Sequence, residues 1–184
     1  MWSNLLNKIS NCLTKAPKPK APEPVVVVEK PKELKVSIIS QKCVDLVKEF
    51  EGLSLKPYLC SAGVPTIGYG TTYYPDNRKV TMKDPEITKE QAESFLMTHL
   101  EKYAQTVSKM IKAPYTQGQI DALSCFAYNI GTGNFASSTL LRLFNEGKTK
   151  EAAEQFLRWN KAGGRELAGL TRRRQAEKDL FEGK

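Results

Sequence analysis

The sequence predicts an α+β protein that is mostly helical, with a small antiparallel sheet lobe beside a helical lobe. Three observations support this prediction. Five of the ten prolines fall within residues 15–36, which favours an extended linker ahead of the folded domain. Residues 56–82 are rich in Gly, Pro, Thr and Tyr, a composition typical of short strands and turns. From residue 88 onward apolar side chains recur at the period of a helix, and we expect a groove where the two lobes meet.

Length and charge limit the possible functions. The chain has 184 residues, 40% of them hydrophobic and 26% charged, which suits one globular domain with a tail. The net charge of +8 lies at the two ends. Residues 1–36 hold seven Lys and three Glu, and residues 157–184 hold eight Lys or Arg and four Asp or Glu. Such ends suit a polyanionic partner (nucleic acid, anionic lipid or a bacterial envelope) or simply keep the protein soluble.

The first 36 residues are predicted to be a basic tail and a proline-rich linker, and residues 37–184 the folded domain. Apolar side chains at helical spacing predict a weak helix over residues 1–14: Trp2, Leu5, Leu6, Ile9 and Leu13. Weak contact with a membrane surface is an alternative role for this segment. No apolar run approaches the roughly 18 residues of a membrane span, and the first residues are too polar for a signal peptide, so neither is expected.

The first predicted helix of the domain covers residues 40–51 and ends at an acid. Its inward face is predicted to consist of four side chains: Cys43, Leu46, Val47 and Phe50. Gly52 follows Glu51 directly, and only glycine adopts a positive φ at a helix end without a Cβ penalty. A carboxylate at a helix C-terminus opposes the helix dipole, so nothing local stabilises Glu51 there. This favours a functional role for its side chain.

Later helices are predicted from capping signals and from apolar residues of period 3.6. Thr88 and Thr116 are each followed three residues later by Gln, which makes two capping boxes. The helix that begins at Thr88 should link the sheet lobe to the helical lobe. A short helix is expected over residues 138–144, and Thr149 and Thr171 are predicted to cap two more.

Residues 50–72 contain the candidate catalytic groups. Glu51 ends a helix and faces a predicted small sheet that carries Cys60 and Thr66, so a bond held between helix and sheet would meet all three. Glu49, two residues earlier, lies about 200° away around the helix and cannot share that face. The site acid is therefore one of these two glutamates.

The spacing Glu51, eight residues, Cys60, five residues, Thr66 resembles the signature of the phage-type lysozymes, glycoside hydrolase family 24, whose second position is Asp or Cys. The flanking Glu-Gly-Leu-Ser-Leu-Lys-Pro-Tyr and Thr-Ile-Gly-Tyr-Gly are also similar to the family's. The resemblance runs from about Ser40 to the C-terminus and selects Glu51 as the acid. It implies a two-lobed, lysozyme-like muramidase domain over residues 37–184. Such a domain hydrolyses the β-1,4 bond between N-acetylmuramic acid and N-acetylglucosamine in peptidoglycan, as an endolysin does in host cell lysis.

Cleavage of this bond needs a proton donor and a group that activates water or stabilises positive charge at the anomeric carbon. Glu51 is the expected donor, and partial burial beside apolar residues would help it to hold its proton near neutral pH. The resemblance implies that Thr66 holds a water molecule between the reactive groups. Cys60 stands where most family members have Asp. A thiol serves as base or charge stabiliser only where neighbours lower its pKa; otherwise Cys60 is a small filler and Glu51 works with water alone.

The resemblance also implies groups that bind the saccharide. Tyr128 and Asn129 would face sugar from a helix that borders the groove. Ser138 or Thr139 would supply a polar contact from a short groove-lining helix. Arg165 would lie near the catalytic acid and orient it. The arginines at residues 172–174 would either meet the carboxylates of peptide stems or form a solvated basic face.

No cofactor and no metal are expected. The four cysteines include no Cys-x-x-Cys pair, and the chain has a single histidine, His99, to which no role is assigned. Cys125 is predicted to be an inert core thiol. Redox control, in which Cys43 or Cys12 reaches Cys60, is an open alternative.

The partner that the resemblance implies is bacterial peptidoglycan, with the protein made in the host cytoplasm and acting as a monomer on the wall in the periplasm. One alternative is an inactive peptidoglycan-binding protein of the same fold, since Cys60 replaces Asp. A nucleic-acid binder ranks last, because only charge suggests it and no nucleic-acid module accompanies the basic ends. Loss of turbidity in a cell-wall suspension separates the first two readings.

Overall fold

The computed structural model describes residues 37–60 and 62–184, and the predicted tail and linker lie outside them. The described part contains seven α-helices: α1 Gln41–Glu51, α2 Lys89–Met110, α3 Gln117–Ile130, α4 Thr132–Ala136, α5 Thr139–Asn145, α6 Thr149–Gln155 and α7 Ala168–Glu182. A 3₁₀ helix covers Phe156–Trp159. Two antiparallel pairs of strands complete it: β1 Ser54–Leu59 with β2 Pro65–Gly68, and β3 Lys161–Ala162 with β4 Arg165–Glu166. The predicted α+β, mostly helical fold is confirmed.

Helix α1 begins and ends where the sequence predicts. Ser40 is its N-cap, and both the backbone N–H and the hydroxyl of Ser40 donate hydrogen bonds to the Asp121 carboxylate on α3. Gly52 follows the last helical residue at a φ of 69°. Three residues of the helix are fully buried: Cys43, Val44 and Val47. The helix is thereby fixed against α3, with its acidic end left at the surface of the groove.

The sheet beside α1 is shorter than predicted. Strands β1 and β2 pair in antiparallel register, with Tyr58 opposite Thr66. Beyond β2 the chain forms only isolated bridges, such as the one between Tyr73 and Lys79, rather than a further strand. The turn predicted around Asn77 is present, and Asn77 adopts a φ of 68°. A few backbone hydrogen bonds, such as the one from Tyr74 to Arg78, and side-chain hydrogen bonds to one carboxylate hold this loop together.

That carboxylate belongs to Asp84. It accepts hydrogen bonds from the Thr81 backbone N–H at 3.0 Å and the Thr81 hydroxyl at 2.9 Å. It also accepts from the Tyr74 hydroxyl at 3.0 Å and from the Arg78 guanidinium at 2.9 Å. These donors, the Thr81 N–H above all, lower the pKa of Asp84 to about 2. Since the unfolded pKa is about 4, Asp84 stabilises the fold above that pH and loses this contribution as the pH falls towards 2.

We therefore expect Asp84→Asn to lower the melting temperature at pH 7, and the difference from the wild type to shrink as the pH falls from about 4 to about 2. Thermal unfolding followed by circular dichroism across this range measures both. Asp76→Asn is the matched control, because the Asp76 side chain lies exposed in the same loop and accepts one bond from the Arg78 backbone. A deficit for Asp84→Asn that stays constant over the range would contradict the expectation.

Two of the four predicted helix caps are confirmed. Thr88 and Thr116 each form a complete capping box with the Gln three residues later. The other two are wrong. Lys148 occupies the N-cap position of α6, where its backbone N–H bonds to the chain at Leu143, so Thr149 enters the helix as its first residue. Helix α7 begins directly after β4, which places Thr171 inside its first turns, with its hydroxyl on the Leu167 carbonyl at 3.2 Å.

The core consists of two hydrophobic clusters with α3 between them. The first is built on α1, β2 and α2, and the second on α3, α5, α6 and α7. Cys125 of α3 belongs to the first cluster and Phe126 to the second. The last turn of α3, with Tyr128 and Asn129, therefore lies where the lobes meet. Among the described residues, no helix combines the length and the apolar character that a membrane span requires.

Candidate active site

Glu51 lies at the junction of two cavities. Its side chain is 23% exposed and lines a cavity of about 220 Å³ together with Tyr128 and Asn129. It also lines a second cavity of about 360 Å³, whose other wall includes Tyr58 of β1. Substrate therefore has access to Glu51 from both cavities, which suits a group that acts on a chain running through a groove.

Gly70 allows the backbone to approach this carboxylate closely. A Cβ atom at this position would lie 3.5 Å from Oε2 of Glu51 and 3.7 Å from the Tyr128 hydroxyl. The residue also has a φ of +84°, which L side chains adopt only with strain. Glycine thus keeps the space around the two oxygen atoms open.

The cation that contacts Glu51 is Arg173. Its Nη1 donates to Oε1 of Glu51 at 2.6 Å, and the arginine side chain is 4% exposed. The sequence resemblance implied Arg165 for this place, but Arg165 is exposed on β4, paired in register with Ala162. The physical reason is that β3 and β4 form a short surface hairpin, whereas α7, which follows it, packs against α1 and α3.

Arg173 belongs to a buried network on α7. The fully buried Glu177 accepts from Arg173 Nε at 3.1 Å and from Arg174 Nη1 at 2.7 Å. Nη2 of Arg174 donates in turn to Oδ1 of Asn129. Burial raises the pKa of Glu177 to about 7, against the opposing effect of the two guanidinium groups. A solvated basic face is therefore wrong for Arg173 and Arg174.

Cys60 follows β1, and its surroundings favour a thiolate. The backbone N–H groups of Val64 and Ala62 lower the pKa of the Cys60 thiol below its ordinary value. Burial raises the pKa of the Tyr58 phenol, and the negative charges of Glu51 and Cys60 raise it further. Both charges act on this one side chain, so Glu51 and Cys60 both lie near Tyr58.

Thr66 stands on β2, directly behind this arrangement. Its residue is 2% exposed and pairs across the sheet with Tyr58. The Thr66 hydroxyl donates to the Val64 carbonyl at 2.9 Å, and the sulfur of Cys60 is within its reach. One hydroxyl proton serves one acceptor at a time, so a bond to the thiolate requires the hydroxyl to rotate.

The cysteine that the sequence offered as a partner for Cys60 lies elsewhere. Sγ of Cys43 is 3.2 Å from Sγ of Cys125, and both residues are fully buried in the first core cluster. The prediction that Cys125 is a core thiol is confirmed, and burial raises its pKa well above the ordinary value. Cys12 falls outside the described residues.

The profile of the Phage lysozyme family matches residues 48–177 of this chain. The chain belongs to that family. It is 44% identical over 143 residues to the endolysin of Bacillus phage PZA, a match covering 78% of this chain and 54% of that protein. It therefore spans about half the length of that relative. The endolysin of Acyrthosiphon pisum secondary endosymbiont phage 1 is 44% identical over 148 residues, covering 78% of this chain and 97% of the relative.

A solved structure agrees with this membership. The endolysin from Escherichia coli O157:H7 phage FAHEc1 superposes with a TM-score of 0.70 at 41% identity, covering 78% of this chain and 92% of that one. The lysozyme-like, two-lobed fold expected from the resemblance is therefore confirmed.

In this phage-lysozyme domain, Tyr128 and Asn129 border the same cavity as the acid. The Tyr128 hydroxyl donates to the Tyr69 carbonyl at 3.0 Å, and burial raises the pKa of the phenol. Asn129 is oriented by the guanidinium group of Arg174 on α7. The structure thus places both residues in the wall of the cavity that Glu51 also lines.

Ser138 and Thr139 occupy different environments. Ser138 is 5% exposed and caps α5, accepting from the Leu141 N–H at 3.1 Å and donating to the Phe135 carbonyl at 2.7 Å. Thr139 is the exposed first residue of α5. Neither side chain lines the two cavities beside the acid.

Sequence reasoning missed two groups of the 220 Å³ cavity, His99 and Tyr103 of α2. They lie one turn apart on one face, and Tyr103 meets Tyr128 edge to face at 5.3 Å between ring centroids. Burial first, and then the charge of Lys102, lowers the pKa of His99. Both residues lie on α2 among mostly apolar side chains. The only feature of the sequence that indicates a shared role is the i, i+4 spacing of two polar rings. Within residues 37–60 and 62–184, no group of three metal-binding side chains lies together.

Proposed function

We propose that this protein is an endolysin-type lysozyme that hydrolyses the β-1,4 bond between N-acetylmuramic acid and N-acetylglucosamine in bacterial peptidoglycan. The observation that supports this most is the position of Glu51 between two cavities, with Cys60 directly after β1 and close enough for both charges to act on Tyr58. The name of the family and the names of the relatives agree with this activity. It would lyse the host cell by opening the glycan strands of its wall.

Glu51 acts as the general acid in this proposal. It gives its proton to the glycosidic oxygen as the bond to the anomeric carbon breaks, and the sugar develops oxocarbenium character. Arg173 holds one carboxylate oxygen at 2.6 Å, which leaves Oε2, next to Gly70, as the oxygen that faces the bond. After product release, solvent returns the proton.

Cys60 acts as a thiolate. It accepts a proton from the attacking water, or stabilises the positive charge at the anomeric carbon, and both roles require the ionised form. The N–H groups of Val64 and Ala62 make that form accessible at a lower pH than for an unassisted thiol. We assign to Thr66 the role of holding the water, through the hydroxyl that lies beside the sulfur.

The saccharide binds along the two cavities. The cavity wall offers an aromatic edge, an amide and a hydroxyl, from Tyr128, Asn129 and Tyr103. These groups suit amino sugars, which present apolar ring faces, acetamido groups and hydroxyl groups. Of the pair at the start of α5, the exposed Thr139 is better suited to contact sugar than the buried cap Ser138. Arg165 is exposed on β4, so we assign it a contact with substrate bound outside the two cavities rather than a contact with Glu51.

Mass analysis of the products from purified cell wall tests the proposal. A lysozyme adds one water per bond and leaves N-acetylmuramic acid at the new reducing end. Dehydrated muramic ends, or release of peptides alone, would contradict it. The inactive binding protein of the same fold would sediment with the wall and release nothing.

Residues 1–36 are proposed to be a tail and linker, so a chain beginning at residue 37 should keep its melting temperature and its rate on isolated wall. The two forms are compared by thermal unfolding and by release of soluble fragments. Any benefit of the tail should appear on whole cells, where its lysines and apolar side chains would meet anionic lipid. A melting temperature many degrees lower after truncation would show that the tail packs on the domain. The same samples in sedimentation equilibrium test the expected monomer.

A further inference from the structure

Glu177 connects two residues of the proposed active site through two arginines. Its Oε1 accepts from Arg173 Nε, and its Oε2 from Arg174 Nη1. Each guanidinium then uses another nitrogen toward the groove: Nη1 of Arg173 contacts Glu51, and Nη2 of Arg174 contacts Asn129. Glu51 ends α1 and Asn129 lies in the last turn of α3, so one buried carboxylate of α7 orients groups on two other helices.

The geometry of the arginine side chain makes this an orienting contact. A guanidinium is a rigid planar fork, so fixing its Nε–H direction fixes where the Nη atoms point. Glu177 takes the Nε–H of Arg173, and the remaining Nη1 then meets Glu51 at 2.6 Å. Without that acceptor, the fork could rotate about its long side chain and still contact Glu51 in other orientations.

Stability alone does not account for the network. Arg174 and Glu177 are completely buried and Arg173 is 3% exposed, and taking such groups out of water costs several kcal/mol per ion. Well-packed apolar side chains of similar volume are often as stabilising as a buried ion pair. One nitrogen of each arginine, Nη2 of Arg173 and Nε of Arg174, is buried without a partner in the described part of the chain. The cluster is therefore better explained by the precise orientation that it gives to Glu51 and Asn129 than by a gain in stability.

We propose that Glu177 is a positioning residue of this active site, which acts through Arg173 on the acid Glu51 and through Arg174 on Asn129. The inference rests on the proposed function and deepens it, because none of the sequence signals assigned a role to this residue. It touches neither cavity and acts only through the two arginines.

The charges around Glu177 decide the sign of its effect. From α1 it faces Glu51, from α3 the uncharged Cys125 thiol, and on its own helix Arg173 and Arg174. Above about pH 7, where Glu177 is ionised, two carboxylates thus balance two guanidinium groups. In this range, replacing Glu177 by Gln leaves an excess positive charge beside Glu51, which favours its anionic form. A general acid must be protonated, so the rate above about pH 7 falls.

The test compares the pH dependence of kcat/KM on soluble glycan fragments for the wild type and Glu177→Gln. We expect the rate above about pH 7 to fall about tenfold, and the rate near pH 5, where Glu177 is itself uncharged, to change much less. Glu177→Asp, which restores the charge, should return the rate above pH 7 towards the wild-type value. Glu182→Gln is the matched control, since it makes the same change at an exposed site of α7.

A second comparison separates positioning from stability. Phe181→Leu, in the core on the same helix, should cost stability but leave the pH–rate profile in place. In a double-mutant cycle, Glu177→Gln should cost little once Arg173→Gln is present, because its route to Glu51 is already lost. An unchanged rate above pH 7 in Glu177→Gln, or full additivity with Arg173→Gln, overturns the proposal.

Failure of the proposed function gives a different result. A wild type that releases no fragments removes the lysozyme assignment before any variant is compared. The carboxyl carbon resonance of Glu51, followed against pH in a labelled sample, does not depend on activity. In the wild type it should respond near pH 7, where Glu177 ionises, and this response should be absent in Glu177→Gln; identical curves would overturn the positioning role by itself.

Discussion

Glu51→Gln should reduce hydrolysis of purified cell wall about a thousandfold or more, with the fold unchanged. Glutamine has the size of glutamate and still offers Arg173 an oxygen acceptor in place of the bond at 2.6 Å, but it has no proton to give to the leaving oxygen. General acid catalysis accounts for about 10² to 10⁴ in rate, which sets the expected loss. The rate of release of soluble fragments measures it, and circular dichroism checks the fold.

Glu49→Gln is the matched control for this substitution. Glu49 is exposed on the same helix two residues earlier, so the change is chemically identical but faces away from the groove. We expect it to keep the wild-type rate. Substantial activity in Glu51→Gln, or a comparable loss in Glu49→Gln, would mean that the proton comes from another group.

Cys60→Ser should lose most of the activity, about a hundredfold, while Cys60→Asp should retain much of it. A serine hydroxyl does not ionise in the working range, whereas an aspartate is charged above about pH 4. An ordinary thiol is about four pH units less acidic than an aspartic acid, and the backbone donors at Val64 and Ala62 lower the pKa of the Cys60 thiol from its ordinary value. As the pH rises, the wild-type rate should therefore increase later than that of Cys60→Asp and earlier than an unassisted thiol would allow.

Alkylation gives an independent measurement of the same role. Iodoacetamide should inactivate the wild type and spare Cys60→Asp, because Cys43 and Cys125 are fully buried and shielded from the reagent. Protection of the wild type by soluble glycan fragments would place the reacting thiol in the groove. Full activity of Cys60→Ser across the pH range would leave Glu51 and a water held by Thr66 to act without the sulfur.

The two substitutions test different halves of one reaction. Loss of Glu51 removes the proton that the leaving group needs, and loss of Cys60 removes the group that deals with water or with positive charge. A rate that falls with Glu51→Gln alone would fit a minimal mechanism in which Cys60 only fills space. The proposed function includes the fuller mechanism, and the backbone donors that lower the pKa of the Cys60 thiol support it.

Local signals in the sequence predicted the elements that a few neighbouring residues control. The capping boxes at Thr88 and Thr116 form because the donor and acceptor lie within one turn of each other. Gly52 ends α1 because its own backbone takes a positive φ. Where the same reasoning failed, at Thr149 and Thr171, the preceding element had already set the start of the helix: the bond from Lys148 back to Leu143 before α6, and strand β4 before α7.

By itself, the sequence determined the family and the α+β class and singled out the candidate acid at the end of α1, because a spacing pattern and a helix end are properties of short stretches of chain. Only the tertiary structure decided which cation meets that acid. Arg165 and Arg173 both follow Glu51 by more than a hundred residues, and no local rule ranks them. The packing of α7 against α1 and α3 buries Arg173 beside Glu51 and leaves Arg165 on a surface hairpin. Such a choice depends on which faces of distant helices fit together, and that information exists only once the chain is folded.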